Sequence, residues 1–136
     1  MLNQLLKKGI NMGTRSLTYI YNDADMPLVC LYRQYDGYPS EHGKELAEAL
    51  IESKNNGIEC LAASVVEKLK HGDWGNTYLY PPFEEQDAGQ DYEYIIKDDI
   101  VMVFKIGIKG DRIKLFEGYY PEFRFFCYGH DNKKVA

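Results

Sequence analysis

Apolar and polar positions divide this chain into short stretches of strand and helix period. Ser16 to Tyr21 alternates and is rich in β-formers, which predicts a first strand. Asn22-Asp23-Ala24-Asp25 reads as a turn, and Pro27 suits the start of a second strand running from Leu28 to Gln34. That strand is apolar on both faces, with Leu28, Cys30 and Tyr32 on one and Val29 and Leu31 on the other. Such a pattern belongs to a central strand. The period then changes. From about Glu41 to Ser53, Gly43, Leu46, Ala47, Leu50 and Ile51 fall on one helical face, opposite Lys44, Glu45, Glu48 and Glu52. Lys54-Asn55-Asn56-Gly57 ends that helix. A second helix over Ile58 to Lys70 carries the stripe Leu61, Ala62, Val65, Val66 and Leu69, with Gly72 as its terminator.

The rest of the chain is strand-like. Asn76 to Tyr80 is stopped by Pro81-Pro82, and Phe83 to Gln90 is an acidic loop. Asp91 to Lys97 and Ile100 to Ile106 form a hairpin around Asp98-Asp99, and Lys109-Gly110-Asp111 turns into a strand from Arg112 to Glu117. Pro121 opens a short last helix over Glu122 to Cys127. The expected fold is α+β: a mostly antiparallel sheet of about six strands, two main helices on one face and a short C-terminal helix. Residues 1–11 read as a leader-like extension, with Met12 as the native start. Residues 12–128 read as a single domain, and 129–136 as a frayed polar tail.

Composition adds limits. The 136 residues carry a net charge of −5, which argues against direct binding to nucleic-acid backbones and suits docking on a basic partner. No apolar run is long enough to span a bilayer and no secretory signal is evident, so the expected setting is cytoplasmic, away from membranes. Cys30, Cys60 and Cys127 are widely spaced in apolar contexts and read as reduced, buried thiols. Together with His42, His71 and His130 they offer no C-x-x-C and no close histidine pair, so neither a metal site nor a cofactor is expected. The 12 tyrosines mostly fall in strands. A half-exposed sheet face accounts for them, and a sharper reading is a stacking platform for a nucleobase with Arg15 or Arg33 supplying charge.

The densest polar stretch is Tyr32 to Leu46, read as strand end, tight turn and helix start. Asp36-Gly37 marks the turn, with Gly37 free to take φ > 0. Pro39 fixes its own backbone and extends Tyr38. Ser40 is the expected N-cap and Glu41 suits the helix dipole. Gly43 in a first turn costs roughly 1 kcal/mol, which suggests close approach by a strand or a ligand. Free N–H groups beside Arg33, His42 and Lys44 have the makings of an anion site. The candidate ligand-binding residues are Arg15, Arg33, Tyr35, Asp36, Tyr38, Ser40, His42 and Lys44. A plain capped strand-to-helix connection explains the same residues.

Several words of the chain are familiar as a set: Met12-Gly13-Thr14-Arg15-Ser16-Leu17-Thr18, Tyr32-Arg33-Gln34-Tyr35-Asp36-Gly37-Tyr38-Pro39-Ser40, Asn56-Gly57-Ile58-Glu59-Cys60-Leu61-Ala62-Ala63, Tyr78-Leu79-Tyr80-Pro81-Pro82 and Gln90-Asp91-Tyr92-Glu93-Tyr94. In this order they resemble a family of small bacterial and phage proteins with no established activity, over nearly all of the chain from Met12. The family pattern has glycine where this chain has Glu41 and, usually, Glu59. The resemblance implies Met12 as the start and a phage or mobile-element setting. It supplies no catalytic residues.

Function is then weighed among three classes. An enzyme would use Cys60 at a helix start or His42 as a base, but no complete constellation of nucleophile, base and orienting group is present. The leading expectation is a small binding protein for an anionic ligand, a nucleotide or phosphate-like group, at the turn and helix start 33–44. The alternative is a phage-type anti-defence protein that inhibits a host protein, such as a nuclease, through Glu84, Glu85 and Asp87. A tyrosine-rich edge strand also allows a homodimer.

Overall fold

A computed structural model describes residues 13–53, 56–71, 75–83 and 86–130. The expectations for the leader 1–11, for Gly72 as a terminator and for most of the tail lie outside the described residues, as do Glu84 and Glu85. Six strands form one sheet in the order β3-β2-β1-β4-β5-β6. They are β1 (Ser16–Tyr21), β2 (Pro27–Arg33), β3 (Thr77–Tyr80), β4 (Tyr92–Lys97), β5 (Ile100–Ile106) and β6 (Arg112–Tyr119). Every pairing is antiparallel except β1 with β4, which run parallel from Ser16 opposite Tyr92 to Ile20 opposite Ile96. The helices are α1 (Lys44–Glu52), α2 (Ile58–Lys70) and α3 (Tyr120–Gly129), and together with the sheet they make the expected α+β fold.

All three helices cover one face of the sheet. Ile20, Leu31, Tyr94, Ile96, Val101 and Val103 from the strands pack there against Leu46, Leu50, Leu61, Val65, Leu69, Phe123 and Cys127 from the helices. The other face bears Leu17, Tyr19, Tyr21, Cys30, Tyr32 and Ile95, with Tyr80, Ala88, Met102 and Phe104 around them. The segment joining β3 to β4 covers part of this second face, through Ala88 and through the Gln86 N–H, which donates to Tyr19 Oη at 3.3 Å. The tyrosines of this face are buried, Tyr19, Tyr21 and Tyr32 at no more than 8% exposure, where the strand pattern predicts a half-exposed surface; on β3, Tyr78 is exposed.

The first helix differs in detail from its expectation. It is entered from Tyr38 through a π-turn at Pro39–Gly43, marked by the Gly43 N–H bond to the Tyr38 carbonyl at 3.1 Å. Ser40 lies inside this turn and is not the cap, because Pro39 already starts the helical path. Gly37 is not the left-handed residue of the turn; Asp36 is, at φ 60°. Gly37 is needed for space, since a Cβ there would stand 2.9 Å from the backbone of Arg15 and Ser16. The last helix is longer than expected, starting at Tyr120 and reaching Gly129. Its first turn is closed by Glu122 Oε1, which accepts the Tyr119 N–H at 2.8 Å.

Both sheet edges are blunted. β3 has four residues and is followed by Pro81 and Pro82. On β6 the partners of Val103 and Phe104 are Phe116 and Lys114, so Leu115 is an extra, bulged residue beside a lysine.

Candidate functional site

The polar residues of the strand–turn–helix stretch come together, but they bind one another. His42 is buried under β1, and its Nε2 lies 2.8 Å from Thr18 Oγ1. Its Nδ1 lies 3.4 Å from an Arg33 guanidinium nitrogen. A guanidinium only donates, so Nδ1 accepts and Nε2–H donates to Thr18. Arg33, also buried, forks onto Glu45 at 2.8 and 3.2 Å, and its Nε donates to the Tyr35 carbonyl at 2.8 Å. Tyr94 donates to the Gly37 carbonyl at 2.7 Å, and its ring meets His42 edge-on at 5.0 Å. Burial, followed by the Arg33 charge, holds the His42 pKa down to about 3, so the ring is neutral.

The N–H groups of the helix start are engaged as well. Those of Glu41 and Gly43 go to the Tyr38 carbonyl, that of His42 to Asp36 and that of Lys44 to Glu41. Gly43 gives close approach to α3: a Cβ there would stand 2.7 Å from Cys127 Sγ. Lys44 turns outward over the Tyr128 ring at 5.0 Å, and Tyr38 packs edge-on to Tyr92 at 6.4 Å. Tyr35 and Asp36 are exposed and Ser40 is half-buried. Cys60 is exposed on α2, against the expectation of a buried thiol, and no hydrogen bond joins it to His42. Asp87 is exposed, with its carboxylate accepting the Gly89 N–H at 3.1 Å.

The eighth candidate, Arg15, is elsewhere. Alternation along β1 puts it on the sheet face away from the helices, with Leu17 and Tyr19, and it is buried there. Burial pushes the Tyr32 hydroxyl above its ordinary value, and the Arg15 charge works against that shift. Further along the same face a groove of about 530 Å³ is lined by Tyr19, Tyr21, Glu93, Lys97, Met102 and Arg112. Glu93, only 5% exposed, contacts Arg112 at 2.6 Å and accepts from Gln90 Nε2 at 2.7 Å. The Arg112 contact is an ion pair without hydrogen-bond geometry, since Glu93 Oε1 has no aligned donor. Arg112 also lies over the Phe104 ring at 5.2 Å, and Lys97 pairs with Asp25 while lying over the Tyr21 ring at 5.6 Å.

Sequence reasoning missed Glu93, Arg112, Thr18 and Glu45. A signal for Glu93 was present: it is a lone carboxylate within the otherwise apolar run Tyr92–Ile96. Among the described residues no three His, Cys, Asp or Glu side chains converge to hold a metal ion, and no helix is long and apolar enough to cross a membrane. No family model, curated protein or solved structure matches the chain.

Proposed function

We propose that this protein is a binding module for a small anionic ligand of nucleotide type, held in a groove on the sheet face away from the helices and not at the 33–44 turn. The observation that carries this reading is the groove of about 530 Å³ with Glu93 buried in its wall and Arg112 and Lys97 around it. Its size falls in the range of small-molecule sites. The faces of Tyr21 and Met102 give apolar contact, and a phosphate draws Arg112 from Glu93 and Lys97 from Asp25, which frees a Glu93 oxygen to accept a ring N–H group. The 33–44 stretch is less suited to this role, because Arg33 is buried and held by three partners and the N–H groups of Glu41, His42, Gly43 and Lys44 bond internally, whereas Arg112 has one ion-pair partner and is about half exposed.

The test is calorimetric titration of the purified protein with a panel of mononucleotides. One or more should bind. Lys97→Gln and Arg112→Gln should each weaken binding about tenfold, the scale of one charge-assisted contact. A panel with no heat at millimolar ligand would overturn the reading.

A further inference from the structure

The protein buries two arginines to nearly the same depth, Arg33 at 6% exposure and Arg15 at 8%. Their surroundings differ. Arg33 has a carboxylate, a carbonyl and an imidazole. Arg15 has nothing comparable: its Nε is buried without a hydrogen-bond partner, and among the described residues no carboxylate pairs with its guanidinium. The Asp91 carboxylate is nearby, but Oδ2 takes the Arg15 backbone N–H at 3.1 Å. A buried charge that the described residues leave unpaired is costly, and a bound anion would offset that cost.

The backbone around Arg15 is fixed. Its carbonyl accepts from both Asp91 and Tyr92, and the preceding Thr14 carbonyl accepts the Gly37 N–H at 2.8 Å. Gly13 lies so close to Tyr35 that a Cβ would meet its ring at 2.5 Å. The backbone that carries the Arg15 side chain is therefore held on both sides. Leu17 stands opposite Tyr32 on β2 and Tyr32 opposite Tyr78 on β3, so Arg15, two positions before Leu17, falls on the same face at the end of this row. Tyr80 and Tyr78 pack on Tyr32 at 5.0 and 6.0 Å between ring centres. Tyr78 already donates to the Gly75 carbonyl, which leaves Tyr32, Tyr35 and Tyr80 as donors.

We infer that Arg15 anchors an oxyanion-binding subsite at this corner, taking a tetrahedral phosphate or sulfate group, free or as an ester, between the guanidinium and the tyrosine hydroxyls. The groove beside Glu93 and Arg112 is a separate place, and this inference does not depend on it. A guanidinium with several hydroxyl donors around it matches an acceptor that offers several oxygens in different directions. Lysine at this position would bring charge without the planar fork.

The test is thermal unfolding in low-salt chloride buffer, with and without low-millimolar inorganic phosphate, sulfate or glycerol phosphate. In wild type the midpoint should rise by roughly 10 °C at one hundred times Kd. Arg15→Met should abolish the rise. In the chloride buffer alone it should unfold at or above the wild-type temperature, because a buried charge that the described residues leave unpaired has been removed. Arg112→Gln should keep the rise, which separates failure of this subsite from failure of the groove. Equal response to phosphate and glycerol phosphate identifies a free-anion site, and preference for the ester identifies an organic phosphate; both support the inference. NMR gives a readout that needs no variant: the Arg15 Nε–Hε resonance should move on phosphate titration. An unmoved resonance, or an Arg15→Met protein destabilised equally in both buffers, would make Arg15 purely structural and overturn the inference.

Discussion

Thr18 Oγ1 and His42 Nε2 meet at 2.8 Å, joining the middle of the central strand to the first turn of the helical layer. The contact is buried on both sides, so its loss has no substitute from water. Thr18→Val should cost about 1–3 kcal/mol, since it leaves a buried imidazole N–H without an acceptor. Urea unfolding at neutral pH gives the figure.

The same imidazole makes stability depend on pH. His42 is held down to about 3 in the folded protein, while in the unfolded chain it titrates at its ordinary value of 6.5. Below 6.5 the unfolded chain takes up a proton that the folded protein refuses. Its contribution is thus complete above 6.5 and declines as pH falls toward 3, by at most about 1.4 kcal/mol per pH unit. The groups facing the ring are the Thr18 hydroxyl, Arg33 and Tyr94. His42→Gln keeps an amide donor and acceptor but does not titrate. Urea midpoints at pH 7, 5.5 and 4.5 should fall less steeply for this variant than for wild type.

Arg33 and Glu45 form an unequal pair, with side chains 7% and 50% exposed. Removing the exposed partner by Glu45→Ala should cost about 1 kcal/mol, after discounting for solvent screening. Arg33→Ala should cost roughly 3 kcal/mol or more. It strands the Tyr35 carbonyl and His42 Nδ1 as well as the carboxylate, and it opens space beneath the turn. Equal losses in chemical denaturation would mean that the other two bonds contribute nothing.

Gly43 and Cys127 set the distance between the first turn and α3. Gly43→Ala should destabilise by about 1–3 kcal/mol through the clash with the thiol, despite the better helix propensity of alanine. Cys127→Ala should relieve much of that loss. A double-mutant cycle should give a coupling of about 1 kcal/mol or more.

The three cysteines should react unequally. Burial pushes the Cys30 thiol up to about 11 and Cys127 up to about 12, while Cys60 is exposed on α2. Iodoacetamide at pH 8 should label the native protein once, at Cys60, and the denatured protein at all 3 cysteines. Intact-mass measurement checks both.

Local signals made much of the fold legible. α2 runs over Ile58–Lys70 as its apolar stripe predicts, because Leu61, Ala62, Val65 and Leu69 all face the core. β5 is equally clear, bounded by the Asp98-Asp99 turn, where both residues have positive φ. The parallel pairing of β1 with β4 was not legible, since alternation identifies strands and says nothing of partners 76 positions away. Nor was the π-turn, which depends on His42 reaching Thr18. The candidate site was legible in residue type alone. Whether a guanidinium finds a carboxylate of its own chain depends on the fold: Arg33 finds Glu45 on α1, and Arg15 finds none among the described residues.

The β1–β4 seam also bears on how the molecule assembles. Strands β1, β2 and β3 belong to one continuous stretch of chain, and β4, β5 and β6 to another, so each half pairs internally and only β1 and β4 pair across the halves. The hairpins of the second half need only short loops and form early. Closing the seam brings Ser16 to Tyr92, a long-range step with high loop-closure entropy and, being parallel, a slightly weaker ladder per residue. Contact order is shared between this seam and the packing of α3 on α1, where Cys127 approaches Gly43 and Tyr128 donates to Glu48. In the reverse direction, the sheet parts along the seam only if the helical layer parts too, since Arg124 and Tyr128 of α3 both hold Glu48 of α1.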